Sequence, residues 1–267
     1  MTDRFGREIN YLRLSVTDRC NLRCRYCMPD GITLLPHADQ LTYEELLRVA
    51  ALAVTLGVDR FKVTGGEPLV RRGCVDFIAR LKALAGVAEV TLTTNGLLLN
   101  EALDALCGAG LDAVNVSLDT LDAGLYTRLT GCDRINGMYG EACTANRVCP
   151  AAGFDDAPAA VLRAVDRCIA RGLRTKLNVV LLNENLDELP RLTALAEKRP
   201  LDVRFIELMP IGEGASLCAP SADTALSRLQ AAFPDLHAVD EHRGNGPARY
   251  FASAALQGCV GLIDAVS

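Results

Sequence analysis

Hydrophobic and polar positions along the chain follow two alternating rhythms. Short apolar runs rich in β-branched residues occupy positions 11–16, 60–64, 89–93, 113–117, 175–182 and 203–208, a pattern that predicts strands. Between most of them, apolar residues recur at helical spacing over 43–56, 74–84, 101–109, 160–170 and 186–198. Thr42 and Glu45 stand in capping-box spacing before the first helical stretch. Gly57, Gly86, Gly110 and Gly172 follow four of the helices, where C-terminal stops belong. Strand then helix, repeated about five times, predicts a parallel sheet covered by helices. Too few units are present to close a full barrel. An α/β fold is therefore expected, a partial (βα)6 TIM-type barrel with a short C-terminal extension, with a doubly wound open sheet as the alternative. Both architectures put working residues at the carboxyl ends of strands.

Two stretches break the rhythm. Residues 132–158, rich in Gly, Ala, Cys and Asn, interrupt the passage from the fourth strand to its helix and are long for such a connection. After Met209, a loop over 210–220 leads to a helical pattern at 222–233 and strand-like runs at 249–251 and 259–263. The expected division is a core over 1–210, carrying the atypical insert, and an incomplete C-terminal region over 211–267.

Composition narrows the class. With 267 residues, half of them hydrophobic, the chain can bury one sizeable core. A net charge of −5 with dispersed Lys and Arg gives no nucleic-acid footprint. No apolar run is long enough to cross a bilayer, and residues 1–10 are polar and charged, so a cytoplasmic protein without a membrane partner is expected. Eleven cysteines without an export signal point to metal ligation for some and burial for the rest. Cys74, Cys107 and Cys168 fall in or beside helical patterns and are expected in the core, whereas Cys218 and Cys259 stand alone. Cys132, Cys143 and Cys149 share the insert at spacings that match no compact ligand loop.

Cys20-Asn-Leu-Arg-Cys24-Arg-Tyr-Cys27 differs from the other cysteines in its spacing, C-x3-C-x2-C, directly after the first strand. Three thiolates on one tight loop suit a [4Fe–4S] cluster with one open iron, unlike an electron-transfer cluster held by four cysteines. The expected ligand of that iron is S-adenosylmethionine (SAM), whose reductive cleavage supplies a 5′-deoxyadenosyl radical. A zinc knuckle or chance clustering is the competing reading, but zinc wants four ligands, and His37 lies in an unrelated context. Tyr26 fits the aromatic that flanks the adenine in such loops.

Longer motifs carry a family resemblance. Tyr11-Leu-Arg-Leu-Ser-Val-Thr-Asp-Arg-Cys20 with the triplet, Thr64-Gly65-Gly66-Glu67-Pro68-Leu69-Val70-Arg71-Arg72, Thr93-Thr94-Asn95-Gly96, Asn115-Val116-Ser117-Leu118-Asp119-Thr120, Lys176-Leu177-Asn178-Val179-Val180 and Arg204-Phe-Ile-Glu-Leu-Met209 together resemble the GTP 3′,8-cyclase family of the radical SAM superfamily, also called molybdenum cofactor biosynthesis protein A. The resemblance covers nearly the whole chain outside 132–158. It implies that Gly66, Glu67, Ser117 and Met209 join Tyr26 around SAM, and that Arg13, Lys62, Thr93 and Lys176 meet GTP. Lys62 stands where the family usually has arginine, so a point charge replaces a bidentate fork. Arg71 and Arg72 are expected to add positive charge near the same mouth, or else to form a solvated helix start. The implied partners are GTP, an electron donor of flavodoxin or ferredoxin type, the next enzyme of molybdopterin synthesis and a second copy of the chain.

The family also carries a second cluster, held by a later C-x2-C pair and a further cysteine. No C-x2-C occurs after Cys27 in this sequence, so that cluster is not expected here. Impaired cyclisation of GTP to 3′,8-cyclo-7,8-dihydro-GTP is the corresponding expectation. A radical SAM enzyme with another substrate and a non-catalytic binding module are the alternatives.

Overall fold

A computed structural model describes residues 2–265 apart from 3, 5, 29–32, 132–155, 242 and 245. The insert therefore lies almost wholly outside the described residues, and Cys132, Cys143 and Cys149 lie outside them altogether.

Six parallel strands form the barrel wall in sequence order: β1 (Tyr11–Ser15), β2 (Arg60–Thr64), β3 (Glu89–Thr94), β4 (Ala113–Ser117), β5 (Arg174–Val180) and β6 (Leu201–Ile206). The sheet continues through β9 (Val260–Ile263), parallel to β6, then β8 (Arg249–Ala252) and β7 (His237–Val239), both antiparallel to their neighbours. The C-terminal segment thus extends the same sheet, and β1 and β7 are its two edges.

Helices α1 (Tyr43–Thr55), α2 (Cys74–Lys82), α3 (Leu99–Gly108), α4 (Ala123–Thr130), α5 (Ala157–Ala170), α6 (Leu189–Thr193) and α7 (Ala222–Ala232) complete the described helical set. The predicted capping box of α1 is formed: Glu45 N–H donates to the Thr42 hydroxyl at 3.2 Å, and Thr42 N–H donates to the Glu45 carboxylate at 2.8 Å. Gly57, Gly86, Gly110 and Gly172 all take positive φ, where a side chain would be strained. Outward-facing strand residues, among them Leu14, Val63, Leu92, Val114, Leu177 and Phe205, meet the inner faces of the helices in one continuous core. Cys74 and Cys168 are buried there, as expected of small hydrophobes, and Cys107 packs against it.

Three expectations need correction. The fourth strand has its own helix, α4, capped by Asp122, whose carboxylate accepts from Leu125 N–H at 2.6 Å. The helix after the insert begins at Ala157, with Pro158 in its first turn, a position where the missing proline N–H costs nothing. The helix expected over 186–198 is divided into Asn183–Glu188 and Ala194–Glu197, both 3-10, around α6. Asn185 explains the break: its buried amide donates to the carbonyls of Asp119 and Val180, holding the chain against the strand ends before a helix can start.

Candidate active site

The cysteine loop leaves the carboxyl end of β1 and is fastened on two sides. On one side, Gly66 N–H donates to Thr17 O at 2.6 Å and Glu67 N–H donates to Arg19 O at 2.8 Å. A Cβ on Gly65 would strike the Thr17 carbonyl, and one on Gly66 the Arg19 carbonyl. The paired glycines therefore let the turn after β2 lie directly on the cysteine loop. On the other side, Arg23 and Arg25 N–H groups donate to the carbonyls of Thr130 and Leu129 at the end of α4, at 2.8 and 3.1 Å. The short α4 is thus the shelf on which the loop rests.

Within the loop, the Cys27 and Met28 N–H groups both donate to Cys24 O at 2.9 Å, turning the chain so that the thiols share one region. Each thiol is pushed above its ordinary value, first by burial and then by neighbouring negative groups. Cys20 reaches about 12 with Glu67 adding to the effect, while Asp119 acts on Cys24 and Cys27. Leu22 N–H donates to Cys20 Sγ at 3.4 Å, and Asn95 Nδ2 lies 3.9 Å from the same sulfur. Among the described residues, no three His, Cys, Asp or Glu side chains are drawn into a ready metal-holding group. The donor set nevertheless fits an iron–sulfur cluster in kind. Three thiols whose ordinary state is protonated would ionise beside iron, and the buried Asn21 Nδ2 has no hydrogen-bond partner among the described residues.

Glu67 is fully buried and its carboxylate is spoken for. It accepts from Leu69 N–H at 3.1 Å, the Thr94 hydroxyl at 2.8 Å and Asn95 N–H at 2.7 Å. Burial still outweighs these bonds and lifts its carboxyl to about 7. Glu67 thereby ties the end of β2 to the end of β3, a task the sequence did not reveal. Tyr26 likewise has a structural duty: its hydroxyl donates to Asp119 Oδ2, and its ring packs against Leu125, Leu129 and Leu182. Asp119 also accepts from Val180 N–H at 2.8 Å, and burial raises its carboxyl to about 6. Ser117 closes β4 opposite Asn178 of β5. Met209 follows β6 and is half exposed, and its carbonyl accepts from Ile211 N–H at 2.8 Å. These expected SAM residues all lie at carboxyl ends of strands.

The expected GTP residues sit deeper on the inner face of the wall. Arg13 pairs in register with Lys62 and Lys62 with Thr91; Thr93 pairs with Asn115 and Asn115 with Lys176. Arg204 of β6 belongs with them although sequence reasoning gave it no role. Its guanidinium donates to Asn178 Oδ1 at 2.9 and 2.6 Å. Burial first, and then the neighbouring Arg204, Arg13 and Lys176, together lower the Lys62 ammonium to about 8. Lys62 of β2 therefore senses the cations of β1, β5 and β6. Lys176 has a carboxylate close by, Asp202 at 3.4 Å, and it donates to the Tyr250 hydroxyl at 3.1 Å. Gly261 faces Arg204 in register, and a Cβ there would lie 2.8 Å from Arg204 Cγ. The period of two along β6 was the available signal for Arg204: residues 202, 204 and 206 alternate with the core residues Val203 and Phe205. Arg71 adds nothing to this belt. It donates to the carbonyls of Val16 and Leu41 and lies over the Tyr43 ring at 4.3 Å.

An open parallel barrel with a C-x3-C-x2-C loop after its first strand defines the radical SAM class, and the family model for the radical SAM superfamily matches residues 14–196. The GTP 3′,8-cyclase of Heliobacterium modesticaldum is 43% identical over 273 residues, covering all of this chain and 76% of the relative. That of Pelotomaculum thermopropionicum is 41% identical, covering all of this chain and 77% of the relative. This chain belongs to the GTP 3′,8-cyclase family of the radical SAM superfamily. In fold it is similar to Streptococcus suis SuiB bound to S-adenosylmethionine, with TM-score 0.60 and 18% identity over 85% of this chain and 44% of that one. It is equally similar to anSMEcpe with bound AdoMet, with TM-score 0.60 and 15% identity over 84% of this chain and 57% of the other. Among the described residues, no helix is long and apolar enough to cross a membrane.

Proposed function

We propose that this chain cleaves SAM reductively and uses the resulting radical to convert GTP to 3′,8-cyclo-7,8-dihydro-GTP in molybdenum cofactor biosynthesis. The observation that carries this reading is the inward-facing cation belt of Arg13, Lys62, Lys176 and Arg204 below the cysteine loop. A triphosphate carries several negative charges, and fixed cations on rigid strands suit it through charge-assisted hydrogen bonds. Burial strengthens such a contact at Arg204 relative to one at the surface.

Cys20, Cys24 and Cys27 would hold a [4Fe–4S] cluster, leaving one iron without a protein ligand for the amino and carboxylate groups of SAM. When bound, the cluster supplies the electron that breaks the SAM carbon–sulfur bond. The protein's part is to hold. Gly65 and Gly66 hold the loop against β2, α4 supports its far side, and Tyr26, Ser117 and Met209 line the rim where SAM would lie. An electron donor of flavodoxin or ferredoxin type, and the next enzyme of molybdopterin synthesis as recipient of the product, follow from this reading.

Anaerobic incubation with SAM, GTP and dithionite tests it. The expected products are 5′-deoxyadenosine and, in smaller amount, cyclised GTP, with Arg204→Ala losing the second more than the first. SAM cleavage without any change to GTP would leave a radical SAM enzyme of different substrate.

A further inference from the structure

Asn21 follows the first cysteine of the loop and is fully buried. Its amide is oriented by contacts that begin at the backbone. Leu97 N–H donates to Asn95 Oδ1 at 3.1 Å, and a backbone N–H can only donate, so this bond fixes which end of the Asn95 amide is oxygen. Asn95 is itself pinned, since its own N–H donates to the buried Glu67 at 2.7 Å. Asn95 Nδ2 then donates to Asn21 Oδ1 at 2.7 Å and approaches Cys20 Sγ at 3.9 Å. With its oxygen taken, Asn21 has only its Nδ2 to offer elsewhere, and that atom is buried with no hydrogen-bond partner among the described residues. Buried amide donors without an acceptor are rare, because losing water without a replacement is costly.

We propose that Asn21 donates an N–H···S hydrogen bond to a sulfur of the cluster held by Cys20, Cys24 and Cys27, and that Asn95 is the positioning residue that aims it. The proposal rests on the cluster reading above. Reduction adds a negative charge to the cluster, and a donor aimed at its sulfur stabilises that charge. Hydrogen bonds to cluster sulfurs are one of the protein's means of setting the potential. The Asn21–Asn95 pair therefore raises the midpoint potential and brings the cluster within reach of its electron donor.

The test is a redox titration followed by electron paramagnetic resonance, on anaerobically reconstituted protein without SAM. Asn21→Ala is expected to bind a full complement of iron with a more negative midpoint potential. Asn95→Ala, which frees the Asn21 amide to turn, is expected to shift it in the same direction. Wild-type protein grown with side-chain-15N asparagine is expected to show a nitrogen coupling in the reduced state that labelled Asn21→Ala lacks, which separates it from Asn95 Nδ2 beside Cys20 Sγ. Absence of the coupling in wild type decides against the proposal even if the variants fail to fold. Fully loaded variants with the wild-type potential, or labelled wild type without the coupling, would overturn the proposal while leaving the cluster in place. A shift that appears only after SAM is added would overturn it in favour of a contact to SAM. A wild-type chain that takes up no iron would overturn the cluster reading and this inference together.

Discussion

Replacing Lys62 with arginine isolates the part played by one buried charge in the cation belt. In the free protein the Lys62 ammonium is lowered from 10.5 to about 8, by burial first and then by Arg204, Arg13 and Lys176. A cation with a lowered value is charged below it and loses its charge as pH rises through it. Triphosphate binding favours the charged form, so affinity is full below about 8 and falls above it. If the bound phosphate needs the ammonium, the apparent Kd for GTP rises about tenfold between about pH 7 and about pH 9. Lys62→Arg keeps a charge throughout this window, because a guanidinium does not titrate there. Its Kd should stay flat, apart from changes that both proteins share. Isothermal titration calorimetry with GTP at several pH values reads the difference directly, and the comparison cancels the titration of GTP itself. Parallel pH profiles for the two proteins would refute the argument, since a Lys62 that touches phosphate cannot be silent across its own pKa.

Other residues give further tests. Glu67→Gln offers one acceptor oxygen to the three donors Leu69 N–H, Thr94 hydroxyl and Asn95 N–H, so urea denaturation should show a loss of about 1–3 kcal/mol. The same experiment has a pH signature in the metal-free protein. Because burial raises the Glu67 carboxyl to about 7, its contribution to stability is fully present below its unfolded value and is lost as pH rises through about 7. The variant should lack that slope. Gly66→Ala would drive a methyl group into the Arg19 carbonyl, and iron analysis after reconstitution should show loss of cluster loading. Gly261→Ala crowds Arg204 Cγ, and should weaken GTP binding several-fold while leaving the SAM-cleaving half intact.

Most of the frame was legible in the sequence because it depends on local rules. The alternation of β-branched runs with amphipathic stretches, and the glycines after α1, α2, α3 and α5, marked the strands and helix ends without long-range information. The strand order that separates a barrel from a doubly wound sheet came from the pairing. The helix α4 was obscured by its Ala-Gly start and by the insert beside it, although Asp122 and Gly131 were signals of its two caps. The broken stretch after β5 could not be read locally, because Asn185 is held by groups on two other segments. The site shows the same division. The cysteine spacing and the glycine pair identify their own region, since each is a compact motif. What Glu67, Tyr26 and Asn95 do depends on partners between 27 and 93 positions away. Glu67 was read from its motif as a SAM residue, and the structure shows a buried staple between strands. Arg204 was visible as a residue of a motif, but its place beside Lys62 required the register of β2, β5 and β6.

The central claim is that Cys20, Cys24 and Cys27 hold a SAM-cleaving cluster above a cation-lined barrel. Iron and sulfide content after anaerobic reconstitution, comparing the wild-type chain with Cys24→Ala, tests it most directly. The account predicts about four irons per chain on this loop in the wild type, and their loss in the variant along with 5′-deoxyadenosine formation. Equal iron in the two proteins, or none in the wild type, would contradict it.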